Sequence, residues 1–90
     1  MATMKKEQML EELQEACQSI GYRIRFERGD FAGGACILKD QQLLVVNKRF
    51  TIERKLSTIA RALHEIGIDE VYIKPAVRTF IEDEIARTEQ

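Results

Sequence analysis

The run Leu43-Leu44-Val45-Val46 constrains the fold more than any other stretch of this chain, because four consecutive apolar residues sit between Gln41-Gln42 and Asn47-Lys48. Successive side chains of a strand point to opposite faces, so an unbroken apolar run must be covered on both. It is too short for a buried helix, and two of its residues are β-branched. It reads as a central strand, covered on both faces by its own chain or on one face by a partner.

Two shorter segments supply strands beside it. Tyr22-Arg23-Ile24-Arg25-Phe26-Glu27 alternates strictly, which turns Tyr22, Ile24 and Phe26 one way and Arg23, Arg25 and Glu27 the other. Arg28-Gly29-Asp30 has turn chemistry, and Gly33-Gly34 allows a bulge or a close backbone approach before Ala35-Cys36-Ile37-Leu38-Lys39. Lys39-Asp40-Gln41 forms a polar hairpin tip. Connections this short predict a three-stranded antiparallel meander.

Helical periods flank the strands. Over Met4 to Ile20, Leu10, Leu13, Cys17 and Ile20 recur at spacings of three and four, with Thr3 as the candidate N-cap and Gly21 as the closing residue. A second helix starts at Thr51 and carries Ile52, Leu56, Ile59, Leu63 and Ile66 on one face before ending at Gly67. Asp69 to Lys74 is a short extended or edge-strand candidate, and Pro75 suits the first position of a third helix. That helix has Val77, Phe80, Ile81 and Ile85 inward and Glu82, Asp83 and Glu84 outward. The expected fold class is α+β: helix, three-stranded meander, helix, short extended segment, helix, with the helices mainly on one sheet face.

Ninety residues make one small domain, residues 1–90, with a thin core. Hydrophobic content of 44% and charged content of 32% exclude a disordered chain, and no stretch reads as a linker or a repeat. No apolar run approaches the ~18 to 20 residues of a membrane span, and the first twenty positions are charged where a signal peptide is apolar. The expectation is a cytoplasmic chain with no membrane association. Cys17 and Cys36 lack C-x-x-C spacing and are expected as reduced thiols, Cys17 in the core.

A net charge of -1 conceals an uneven distribution. Residues 1–20 hold two Lys against four Glu, residues 21–61 nine Lys and Arg against four Asp and Glu, and residues 62–90 three basic against seven acidic. Arg23, Arg25, Arg28, Lys39, Lys48 and Arg49 could form a phosphate-binding surface. A base-stacking sheet interleaves aromatics with such residues, whereas Tyr22 and Phe26 lie opposite Arg23 and Arg25. Nucleic acid is therefore not the expected partner. The same polarity suits a complementary protein or head-to-tail self-association.

Two arrangements of residues hint at catalysis. His64-Glu65-Ile66-Gly67-Ile68 falls one residue short of H-E-x-x-H, the motif that sets two zinc-ligating histidines at i and i+4 around a general-base glutamate. Ile68 replaces the second ligand, and His64 is the chain's single histidine. At 100° per residue from Ile52, the apolar stripe lies between about 320° and 40°, His64 near about 120°, Glu65 near about 220° and Ile68 near about 160°. His64 thus flanks the core at a helix terminus, where imidazole can meet the last carbonyls. The second reading pairs Cys36 as nucleophile with His64 as base, which requires the two to meet. No catalytic residue, metal or cofactor is expected.

The run Leu44-Val45-Val46-Asn47, followed by a helix ending Ala62-Leu63-His64-Glu65-Ile66-Gly67, resembles the core of the small zincin metallopeptidases. That likeness implies a domain without its chemistry that keeps a peptide- or nucleotide-binding groove near Cys36, Asn47 and His64. The stretches 28–39, Val46-Asn47-Lys48 and Tyr72-Ile73-Lys74-Pro75-Ala76-Val77-Arg78 are similar to a family of short bacterial proteins to which no activity is assigned. The expected function is a non-enzymatic protein-interaction module, self-associating through the apolar third strand or a helix face, with Arg23, Arg25, Gly33, Gly34, Lys74 and Arg78 as candidate surface residues.

Overall fold

A computed structural model describes residues 4–29 and 35–88. Its elements are α1 (Lys6–Ser19), β1 (Arg23–Glu27), β2 (Ala35–Leu38), β3 (Leu43–Asn47), α2 (Ile52–Ile66) and α3 (Pro75–Thr88), with one 3₁₀ turn, Lys39–Gln41, between β2 and β3. The α+β class and the three helices agree with the expectation. Among the described residues no helix is long and apolar enough to cross a membrane.

The sheet departs from a meander. Its order is β1-β3-β2, β1 running parallel to β3 and β2 antiparallel to it. The apolar run explains the order: Leu43, Leu44, Val45 and Val46 are all buried, whereas all of β2 is half-buried and β1 keeps Arg23 and Arg25 exposed. The strand that most needs cover takes the middle. A chain going from β1 to β2 must then pass one strand, about 10 Å, which a segment the length of 28–34 spans easily at roughly 3.3 Å per residue. The Gly33-Gly34 turn expected there lies outside the described residues, as does Thr3. Helix α1 starts at Lys6 with Lys5 as its N-cap, two residues later than the start at Met4 capped by Thr3 that the sequence suggested.

Register sorts the side chains. Ile24 pairs with Leu44 and Phe26 with Val46, while Ile37 and Ala35 face the same two β3 residues from the other side. All six belong to the core or pack against it, together with α1, α2 and α3. The other face carries Arg23, Leu43 and Leu38 in one row, then Arg25, Val45 and Cys36 in the next. Leu43 and Val45 remain only 5% and 8% exposed there, flanked by the stems of arginines whose charged heads reach water. The main contacts of α1 are with β1 and α2, those of α2 with β2, β3, α1 and α3, and those of α3 with α2 and α1, so α1 and α2 form the layer against the sheet.

The helices close as their end residues dictate. Gly21 (φ +85°) ends α1, and the Thr51 hydroxyl accepts the Arg54 N–H at 3.3 Å to start α2. The α2 stripe is wider than its leucines and isoleucines, since Thr58, Ala60 and Ala62 are also buried. Two details differ from the sequence reading. Asp69 to Lys74 forms no strand, and Glu84 is buried beside Val77 and Ile81, its carboxylate taken by Arg87 at 2.6 Å.

Candidate functional site

The H-E-x-x-H near miss ends at a helix terminus. Gly67 takes φ +106°, a conformation open to glycine, and its N–H bonds the Leu63 carbonyl at 2.9 Å. The helix stops at Ile66, so position 68 is not the i+4 position of a continuing helix. Ile68 turns back and is buried in the core at 6% exposure, whereas His64 and Glu65 stand in solvent. The helix end at Gly67 agrees with the sequence reading, but the outward position that helical angles gave Ile68 does not hold, because the chain has left the helix before that residue. Among the described residues no group of three His, Cys, Asp or Glu is placed to hold a metal ion.

Cys36 and His64 do not meet. Cys36 pairs with Val45 on the sheet face turned from the helices, whereas His64 is on α2, which packs against the other face. Asn47 shares the Cys36 face at the end of β3, so the groove drawn around Cys36, Asn47 and His64 is not assembled. Asn47 instead holds a turn: its Nδ2 donates to the Gly29 carbonyl at 3.2 Å and its Oδ1 accepts the Arg49 N–H at 2.9 Å. Cys17 is wholly buried, and burial pushes its thiol up to about 11, so it is an inert core residue.

Lys74 and Arg78 serve the connection between α2 and α3. The Lys74 ammonium donates to Glu12 Oε2 at 2.7 Å, a bond that holds the Glu12 carboxyl below its usual range and raises Lys74 above its own. Arg78 Nη2 donates to the Ile68 carbonyl at 3.4 Å, and Nη1 lies 4.0 Å from Asp69. These contacts fasten residues 67–74 to α1 and α3. Beside them a hollow of about 160 Å³ is lined by Glu12, Ala16, Tyr72 and Lys74, with Tyr72 79% exposed. A more apolar groove of about 370 Å³ runs between Met4, Met9, Leu56 and Phe80.

Arg23 and Arg25 are exposed on the helix-free sheet face, where Arg25 pairs with Glu27 at 2.8 Å. Tyr22 is buried, and Phe26 faces α2 with the Lys55 ammonium 5.3 Å from its ring centroid. The aromatic and arginine faces of β1 are therefore separate, as its alternation predicts.

The two sheet edges differ in a way the sequence alone does not reveal, because a meander would have put β2 in the middle. β1 offers Arg23, Arg25 and Glu27 at its edge, whereas β2 offers Ala35-Cys36-Ile37-Leu38 with no charge. Among the described residues nothing hydrogen-bonds to the outer side of β2. Comparison with family models, with curated proteins and with solved structures gave no match.

Proposed function

We propose that this chain is a non-enzymatic protein-interaction module that pairs with a second copy of itself along the outer edge of β2. The observation that carries the reading is the contrast between the two edges. Proteins guard exposed strand edges with charge, and charge is what β1 has and β2 lacks. Antiparallel pairing of β2 with its counterpart around a two-fold axis joins the two sheets into one and satisfies the open ladder groups of both copies. The central β3 strand is not available for that role, being flanked on both sides within its own sheet. The placement of Cys36 and His64 on opposite sides of the sheet, and the solvent position of His64 and Glu65, favour contact over catalysis as the working principle.

Sedimentation equilibrium under reducing conditions tests the reading, with Cys36→Lys as the edge-guarding variant. A dimer that the lysine converts to a folded monomer supports it. A monomer at every concentration overturns it.

A further inference from the structure

The end of β1 and the turn from β3 into α2 meet at one end of the sheet. The Lys48 N–H donates to the Glu27 carbonyl at 3.1 Å, and Asn47 binds both Gly29 and Arg49 as described. Arg28, Lys48 and Arg49 are thereby brought side by side, all exposed. Arg54 and Lys55 extend the group from the first turn of α2, the Arg54 guanidinium 4.3 Å from the centroid of the Phe50 ring.

None of these five cations is in an ion pair among the described residues. Of the carboxylates among the described residues of the same stretches, Glu27 is engaged by Arg25 and Glu53 by Lys6. Lys74, Arg78 and Arg87, in contrast, all have carboxylate partners. Around α2, Leu56 near about 40° and Glu53 near about 100° face α3 and α1, while Arg54 near about 200° faces away. The cationic end is thus turned from the acidic residues of α3. Like charge gathered in this way, with no ion-pair partner among the described residues, opposes folding and draws anions.

We propose that this end of the sheet is a docking surface for an acidic segment of a partner protein. A short run of carboxylates matches the patch in sign and extent. Nucleic acid matches it less well: Arg54 already covers the Phe50 ring, Phe26 is turned to the core under Lys55, and a chain of net charge -1 gives a longer phosphate backbone no continuation. The surface is distinct from the β2 edge and does not require self-pairing.

Fluorescence anisotropy of the full chain with labelled oligoglutamate, and separately with labelled duplex DNA, tests the proposal. Oligoglutamate should bind at low salt and weaken as salt rises. Arg49→Glu with Arg54→Glu should weaken it about tenfold or more, while Lys39→Glu, at the opposite end of the sheet, should leave it unchanged. Thermal unfolding checks that each variant folds, and Arg28→Gln with Lys48→Gln carries the test if the reversal does not. Absence of binding at low salt, binding unchanged by both double variants, or tighter binding of the duplex than of the peptide would each overturn the proposal.

Discussion

His64 and Ile68 leave the last turn of α2 on opposite sides: His64 stands in solvent, and Ile68, beyond the left-handed Gly67, is buried in the core. In a zinc hydrolase the residues at these two positions share one helical face. Restoring the missing histidine therefore cannot restore the site. Ile68→His is expected to bind no stoichiometric zinc and to lose about 2 to 4 kcal/mol of stability, through lost packing and a buried imidazole. Metal analysis and urea unfolding check both; tight zinc binding dependent on His64 would refute this account of the helix end.

The two cysteines should separate cleanly under a thiol reagent. Burial pushes the Cys17 thiol up to about 11, leaving it neutral and inaccessible near neutral pH, whereas Cys36 is half-buried on the helix-free face. A disulfide-exchange reagent should titrate Cys36 well before Cys17, which reacts only on unfolding. Cys36→Ser should remove the fast phase. Equal rates for the two thiols would contradict the placement of Cys17.

Glu12 and Lys74 make stability depend on pH at both extremes. Because the bond from Lys74 lowers the folded Glu12 value, its contribution is present above the ordinary carboxylate range and is lost as pH falls through the lowered value. The bond raises Lys74, whose contribution is full below the ordinary lysine value and is lost as pH rises through the raised one. The effect is small, since the Lys74 side chain is 58% exposed. Thermal unfolding of the wild type and Lys74→Met should differ by a constant amount near neutral pH and converge in acid and in strong base. A difference independent of pH would show that packing, not the ion pair, fastens this connection.

The sequence exposed the elements more readily than their arrangement. Thr51, Gly21 and Pro75 mark helix ends by local chemistry, and the alternation of residues 22–27 sorts the two faces of β1, so both were legible residue by residue. Strand order depends on which segment gains most from the middle of the sheet, a comparison among three strands that no single stretch contains. The buried run Leu43–Val46 already implied a central strand, but short connections favoured a meander over the β1-β3-β2 order it demands. The unguarded β2 edge follows from that order. The cationic end was legible only as a list of residues: the hydrogen bonds of Asn47 and Lys48 gather Arg28, Lys48 and Arg49, while Arg23 and Lys39 of the same list stand elsewhere.

Self-pairing along β2 is the central claim, and the mass of the chain in solution tests it most directly. Sedimentation equilibrium under reducing conditions should give about twice the 10.4 kDa chain mass at high concentration, falling to the single-chain value for Cys36→Lys with its circular dichroism retained. A wild-type chain that stays at 10.4 kDa across the accessible concentration range, or a dimer that a folded Cys36→Lys leaves intact, would contradict it.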